Sequence, residues 1–392
     1  GRRKLVLKET PGWKDITTHA RGSDELMSSG EARCTNCGRE YPEKGLAHAC
    51  PICGGIFDYT NAWGFDPSEL DDSQPGIWRY RGTFGLPKGL EPISLGEGNT
   101  PLTWRKVFKR KIAFKCEHLN PTGSFKDRGS TVITGWLQAR GVKEFIEDSS
   151  GNAGASIAAY AQKAGMRARI FIPASTSETK IHKMQAVGAE IVSIPGNRAA
   201  TSEAVAGEAG KGAVYASHAY LPFNLPGYAT CAYEIYQQLG REMPGTVIVP
   251  AGQGGLLLGI KRGFDALRIA ISDEGRLSQS QNAKIPFMVA VQASACAPLW
   301  AVMQAGTEGM RFVTERPTLA EGVKIRHPVR GDAVILAVKR EPPTRIPPVC
   351  IVEEEDIVEG QKRLKRLGFD VEPTSAIVWK ALQQVISEAA DP

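Results

Sequence analysis

Three turns in this chain, each at the end of an apolar run and the start of a helical pattern, carry residues able to do chemistry. The first is Asn120-Pro121-Thr122-Gly123-Ser124-Phe125-Lys126-Asp127-Arg128-Gly129, which follows Ile112 to Cys116 and opens a helix at about Ser124. The positive end of the helix dipole and any desolvation favour the neutral amine of Lys126, the form needed to condense with an aldehyde. The second is Asp148-Ser149-Ser150-Gly151-Asn152-Ala153-Gly154, whose small polar residues and exposed amides can bind an α-carboxylate. The third is Pro250-Ala251-Gly252-Gln253-Gly254-Gly255-Leu256, a glycine loop that can cradle one phosphate at a helix amino terminus. Taken singly, each also reads as an ordinary surface lysine or turn.

A fourth constellation is Cys34, Cys37, Cys50 and Cys53, two Cys-x-x-Cys pairs separated by twelve residues, each pair followed by a glycine. This is zinc-ribbon spacing: Gly38 and Gly54 permit left-handed knuckles, and four thiolates close a tetrahedral shell around a structural Zn²⁺. Local disulfides or a redox dithiol are the alternatives. The other cysteines, Cys116, Cys231, Cys296 and Cys350, lie in apolar segments and read as buried core.

The nicotinamide fingerprint and the Gly-Lys-Ser/Thr phosphate loop are both missing from the glycine loop and its surroundings. One activated lysine, one phosphate cradle and one carboxylate turn together describe pyridoxal phosphate with an amino-acid substrate.

The elements that must position these residues alternate. Apolar runs at Ile112 to Cys116, Lys143 to Asp148, Ala168 to Pro173, Glu190 to Ile194, Thr246 to Ala251 and Phe287 to Gln292 interleave with helical patterns. Those patterns fall near 126–139, 152–164, 177–187, 199–210, 226–239 and 255–269, with later ones near 353–367 and 374–389. Such alternation predicts βαβ units and parallel sheet, in which ligands sit where strand carboxyl ends meet helix amino termini. Residues 54–95, rich in Gly, Pro, Asp and Trp, read as a linker or wrapping arm.

In order and spacing these motifs resemble the threonine synthase branch of the fold type II pyridoxal-phosphate enzymes, which also holds serine/threonine dehydratases, cysteine synthases and cysteate synthase. The resemblance covers roughly residues 92–388 and rests on Gly98-Asn99-Thr100-Pro101-Leu102, the Asn120 to Gly129 stretch, Ser149 to Gly154, the glycine loop and Glu372-Pro373-Thr374-Ser375-Ala376. Some members resemble the chain further in carrying an amino-terminal zinc-ribbon-like segment. The resemblance implies an α/β, two-domain fold with parallel-rich sheets plus a small zinc ribbon. Its expected divisions are an amino-terminal ribbon segment at 1–60, a large cofactor-binding domain at 61–124 and 226–392, and a small α/β domain at 125–225.

It also implies roles. Lys126 would hold the cofactor aldehyde and shuttle protons, Phe125 would lie against the pyridine ring, and Asn152 would bind the ring hydroxyl. Amides of Gly252, Gln253, Gly254, Gly255 and Leu256 would hold the cofactor phosphate, and Ser149, Ser150, Gly151 and Ala153 the substrate carboxylate. Lys180, eight residues before Gly188, matches a phosphate-binding lysine of threonine synthases. The leading activity is therefore conversion of O-phospho-L-homoserine and water to L-threonine and phosphate, by a homodimer.

Three features depart from that pattern or leave it open. Asn224 stands where threonine synthases tend to carry an arginine, and loss of a bidentate guanidinium weakens a phosphomonoester site. The glycine loop is partly dehydratase-like, so a dehydratase-like lyase or a cysteate synthase-like replacement enzyme stays open, as does a catalytically silent cofactor-binding protein. The chain stops at Asp391-Pro392, before the final strand and Thr-Gly turn that usually meet the pyridine nitrogen, and Arg326 and His327 are further pocket candidates.

Composition sets the outer bounds. The 392 residues are 42% hydrophobic and 23% charged, as in ordinary globular proteins, which excludes disordered, collagenous and coiled-coil chains. The net charge of +6 is spread over short clusters, Arg2-Arg3-Lys4, Arg105 to Lys111 and Lys362 to Arg366, which read as solvated faces rather than a nucleic-acid stripe. With no apolar stretch near the ~20 residues a membrane helix needs and no signal-peptide core, a cytoplasmic protein is expected, and nothing rests on residues 1–4.

Overall fold

Short apolar strands and the helices between them form two parallel sheets in a computed structural model that describes residues 32–60, 63–66, 69–273, 284–339 and 345–388. The basic start Arg2-Arg3-Lys4 and the end at Asp391-Pro392 lie outside those residues. The chain divides into two units, one made of Asp24–Val247 with Gly255–Met288, the other of Ile248–Gly254 with Val289–Pro392.

The first unit opens with β1 (Ala32–Cys34) and β2 (Phe57–Tyr59), paired antiparallel through Cys34↔Phe57. Next come β3 (Leu102–Val107) and β4 (Arg110–Lys115), an antiparallel hairpin in register from Leu102↔Lys115 to Val107↔Arg110. The expectation that Ile112 to Cys116 joins a parallel sheet is thus corrected. Phe108 and Lys109 both take positive φ, 46° and 61°, and form a two-residue turn whose twist suits a hairpin. Within it the basic run from Arg105 to Lys111 is split between the two strands and their turn, so its charges sit on a hairpin.

The βαβ expectation holds from residue 126 onward. α1 (Lys126–Ala139), β5 (Glu144–Glu147), α2 (Asn152–Lys163), β6 (Arg167–Pro173), α3 (Glu178–Gln185), β7 (Glu190–Ile194) and α4 (Arg198–Gly210) alternate around a parallel sheet of order β5-β6-β7. Apolar faces of α1 and α2 close one core with the sheet, in which Ile133, Leu137, Phe145, Ile157 and Ile170 are all buried. α5 (Asn224–Gln238) and α6 (Gly255–Asp273) complete the unit.

One buried ion cluster ties these elements together. The Arg128 side chain on α1 is 0% exposed and reaches Glu117 Oε2 from Nε at 2.7 Å and Glu234 Oε1 from Nη1 at 2.7 Å. Lys115 Nζ, at the end of β4, meets the second oxygen of Glu234 at 2.6 Å. The Gly98 to Thr100 turn is hung on the same cluster: Asn99 N donates to Glu234 Oε1 at 2.7 Å, and Gly98 N to Asn120 Oδ1 at 2.9 Å. Burial alone would push both carboxyls up, but the guanidinium holds Glu117 below its usual range and Glu234 at about 2.

β8 (Thr246–Pro250), β9 (Phe287–Ala293) and β10 (Val349–Val352), which belong to the second unit from Ile248 and Val289 onward, form a sheet of order β10-β9-β8, with β9 and β10 parallel from Val349↔Ala290 to Val352↔Ala293. Its helices are α7 (Pro298–Ala305), α8 (Gly331–Val338), α9 (Glu354–Arg366), α10 (Pro373–Ala376) and α11 (Val378–Glu388). Val289, Val291, Val352, Ile357 and Ile377 form its core. Cys116, Cys231, Cys296 and Cys350 are buried, as their apolar surroundings predict.

Candidate active site

Lys126 is the first residue of α1, capped by Phe125, and half-buried. Its turn is fixed by Asp127, which accepts hydrogen bonds from Thr122 N at 2.7 Å and Thr122 Oγ1 at 2.5 Å. Phe125 lies under the lysine, with Nζ 4.8 Å from the ring centroid.

The amino terminus of α2 stands beside that of α1. Ser156, one turn after Asn152, donates to Asp127 Oδ1 at 2.6 Å and lies 2.7 Å from Ser130 Oγ, so the two helix starts are pinned together. Between β5 and α2 the Ser149 to Gly151 turn folds back so tightly that a Cβ on Gly154 would lie 1.9 Å from the Ser149 carbonyl oxygen. Only glycine fits there. A Cβ on Gly151 would meet open space, and the cap residue Gly151 makes no side-chain bond to the helix, a helix start of the kind that can receive an anion. Ser149 and Ala153 are buried, Ser150 and Asn152 partly so.

Behind the turn, Asp148 is fully engaged. Tyr215 OH donates to Oδ1 at 2.7 Å, while Arg198 Nη2 and Ser202 Oγ reach Oδ2 at 3.1 and 3.0 Å. The adjacent Glu147 pairs with His218. Asp148 heads the turn recognised in the sequence, whereas Glu147 is given no role there; the signal available was two consecutive acids at the end of an apolar run, where an unpaired charge is costly.

Position 224, where a phosphate-reading arginine would be expected, is the first residue of α5 and is 1% exposed. Asn224 Nδ2 donates inward to the His218 carbonyl at 2.5 Å. Lys180 lies on α3, exposed, one turn before the buried Met184.

The glycine loop belongs to the second unit as far as Gly254, and the chain returns to the first unit at Gly255. In the second unit a Cβ at Gly252 would lie 2.7 Å from the Gly322 carbonyl oxygen, and one at Gly254, where φ is +82°, 2.2 Å from Val334 Cγ2. The loop backbone is thus drawn against its neighbours, with Gln253 Oε1 accepting from Val329 N at 2.9 Å. Gly255 and Leu256 open α6, whose first turn carries no acid. Arg326 and His327 are exposed in the same unit.

The four ribbon cysteines converge. Their Sγ atoms all lie within 4.8 Å of one another, with Cys34–Cys53 at 3.4 Å and Cys37–Cys50 at 3.7 Å. A tetrahedron of bonds of about 2.3 Å has edges of about 3.8 Å, so the set fits a zinc ion. Gly38 and Gly54, both at φ 71°, close the two knuckles by donating to the carbonyls of Cys34 and Cys50. The backbone N–H of Ile52 is the largest of several hydrogen bonds that lower the Cys50 thiol to about 6. The ribbon is packed against the body of its own unit: Tyr41 lies edge-on to Phe223 with centroids 4.9 Å apart, and Arg262 pairs with Asp58 at 2.7 and 3.0 Å.

Comparison with known proteins agrees with this arrangement. The family described as "Pyridoxal-phosphate dependent enzyme" matches residues 93–391. A threonine synthase of Methanosarcina acetivorans is 30% identical over 366 residues, 90% of this chain and 86% of that protein. One of Methanocaldococcus jannaschii is 30% identical over 373 residues, 91% and 87%. Among solved structures, maize serine racemase matches with a TM-score of 0.58 at 22% identity, over 75% of this chain and 83% of that one. A threonine deaminase of T.th. matches with a TM-score of 0.58 at 25% identity, over 74% and 88%. No described helix is long and apolar enough to cross a membrane.

Proposed function

Since the chain belongs to the family of pyridoxal-phosphate dependent enzymes, with their fold type II architecture, we propose that it is a threonine synthase, acting on O-phospho-L-homoserine and water to give L-threonine and phosphate. The observation that carries this reading is the pair of pinned helix starts, Lys126 beside the Ser149 to Gly154 turn, in a chain that matches threonine synthases over nine-tenths of its length. The division into a ribbon segment (1–60), a large domain (61–124 and 226–392) and a small domain (125–225) belongs to the same proposal, as do a homodimer and a cytoplasmic setting.

Each unit by itself carries residues that fit the cofactor: in the first an amine at a helix start with a ring beneath it, in the second a glycine loop that admits no side chain at Gly252 or Gly254. Lys126 would hold its aldehyde, Phe125 and Asn152 its ring, and the amides from Gly252 to Leu256 its phosphate. When bound, the group supplies an electron sink that makes the substrate α-proton acidic. The chain's own part is to orient and to move protons. Amides and hydroxyls at Ser149, Ser150, Gly151 and Ala153 would fix the substrate carboxylate, which aims the α-hydrogen at Lys126 Nζ. That amine would accept the proton and return it at the neighbouring carbons, and Lys180 would meet the leaving phosphate.

The test is to incubate purified holoenzyme with O-phosphohomoserine and assay both products. Threonine and phosphate formed one for one are expected. Asn224 favours a second reading, because a buried amide turned toward a carbonyl cannot read phosphate as an arginine does. Keto acid from serine or threonine, with O-phosphohomoserine inert, would overturn the synthase assignment in favour of a dehydratase. No turnover of any amino acid by cofactor-loaded protein would point to a silent binder.

For the ribbon we propose a structural zinc ion on Cys34, Cys37, Cys50 and Cys53. One metal per chain by elemental analysis is expected, and C50S should abolish it. Because His48 packs edge-on to Tyr215 at 5.2 Å, and Tyr215 holds Asp148, C50S should also raise KM several-fold more than it lowers kcat. An unchanged KM in a metal-free variant would show that the ribbon does not support the carboxylate turn.

A further inference from the structure

Two acids close β5: Glu147, its last residue, and Asp148, which leads straight into the Ser149 to Gly151 turn. Glu147 pairs with His218. The Asp148 side chain is 6% exposed, and both its oxygens are bonded: Oδ1 accepts from Tyr215 OH at 2.7 Å, and Oδ2 from Ser202 Oγ at 3.0 Å and Arg198 Nη2 at 3.1 Å. Two neutral hydroxyls therefore suffice to satisfy one oxygen each and hold the carboxylate in place. What Arg198 alone brings is charge, since no other cation among the described residues pairs with Asp148.

Arg198 does not serve its own helix. It is the first residue of α4, whose amino terminus is already capped by the Asn197 side chain, which accepts from Ala199 N and Ala200 N at 3.0 and 3.2 Å. A cation in a first turn opposes the helix dipole, so the position is unfavourable for the helix itself. Nor does the residue fill a core, because 51% of its side chain is exposed. The pair with Asp148 is the interaction that accounts for it.

The place of the acid gives that charge a use. Asp148 precedes Gly151 by three residues, a span of at most about 11 Å. An anion received by the turn and the opening amides of α2 stands near a buried carboxylate, and like charges at that range repel by roughly ten-fold in affinity. A guanidinium 3.1 Å from the carboxylate cancels that field.

We propose that Arg198 is a positioning residue that acts through Asp148 and sets the charge preference of the site: by neutralising the acid, it lets the turn favour an amino acid with a free α-carboxylate over its uncharged amide. This inference rests on reading the Ser149 to Gly154 turn as the site of the substrate carboxylate, but not on which amino acid is turned over.

The probe is L-threonine, product of one candidate reaction and substrate of the other, set against L-threoninamide, which keeps the amine and side chain but lacks the negative charge. Each is titrated into the holoenzyme, and the concentration that half-shifts the visible cofactor absorbance is read. Arg198→Gln should weaken L-threonine about ten-fold and leave L-threoninamide within about two-fold of wild type. Arg198→Lys, which keeps the charge, should stay near wild type for both. Asp148→Asn keeps an acceptor oxygen but no charge, and combined with Arg198→Gln it should restore L-threonine binding, whereas two merely structural losses would add.

Equal effects of Arg198→Gln on both ligands, or a double variant weaker than Arg198→Gln alone, would overturn the proposal and leave the pair a structural one. Should the double variant fail to fold, the comparison of the two ligands in Arg198→Gln decides alone. Gly151→Val tests the turn separately. Gly151 has an extended backbone, φ −110° and ψ −152°, and a Cβ there meets open space, so the added side chain would stand in the way of an incoming carboxylate. L-threonine bound as tightly by Gly151→Val as by wild type would refute the reading of the turn, a distinct result.

Discussion

Lys126→Ala is expected to lower turnover by about 10³-fold or more, the scale on which a positioned acid–base group acts, and to remove the visible absorbance of lysine-bound cofactor. The fold should survive. Lys126 is half-buried at the very start of α1, and the bonds that shape its turn belong to Asp127, Thr122 and Ser156. Circular dichroism should therefore match wild type. Added small primary amines should restore part of the lost rate, since they supply a base where the side chain has been cut back. An unaltered rate would place the chemistry on another residue.

The second large effect is on stability. Replacing Arg128 by Met should cost about 3–5 kcal/mol in urea unfolding, because it strands the carboxylates of Glu117 and Glu234 without the guanidinium that bridges them. Arg128→Lys should recover only part of this, since one ammonium cannot make the five bonds that run from Arg128 to Glu117, Glu234 and Thr230. The cluster also sets an acid limit. Glu234 has its carboxyl depressed to about 2. Its share of stability is whole above the ordinary carboxylate value of about 4.3 and is lost as pH falls toward the depressed one. In Arg128→Met that dependence should flatten, which unfolding midpoints between pH 2 and pH 5, an interval of about three units, would reveal.

How much of this could be read from residues alone depended on the range of the forces involved. α1 runs from Lys126 to Ala139, the span expected from the residues, bounded by the Asn120 to Gly123 turn before it and by Gly141 after it. The β3–β4 hairpin escaped notice because its turn uses Phe108 and Lys109 rather than the Asn-Gly pair that ordinarily marks positive φ. β10 escaped because it is four residues long and follows Pro347-Pro348, which mask a strand signal. α7 and α8 are short and largely apolar, so they show no amphipathic period.

Within the candidate site the same division holds. The lysine, the carboxylate turn and the glycine loop are visible because each is a contiguous motif. The pairing of Glu147 with His218 joins residues 71 apart, and that of Arg128 with Glu234 residues 106 apart. No local pattern announces such pairs. They arise only when β5, α1 and α5 have been brought together by burial of their apolar faces.

The attachment of the ribbon bears on the order in which the molecule can be assembled. Its knuckles and strands need only residues 32–59, the first described stretch to leave a ribosome. The surface that receives it is made much later: Arg140 donates to the carbonyls of Pro42 and Gly45, Phe223 meets Tyr41, and Arg262 follows its partner Asp58 by 204 residues. A nascent chain therefore carries a locally closed cysteine loop long before its berth exists, and docking becomes a late step that reports whether α5 and α6 have already folded.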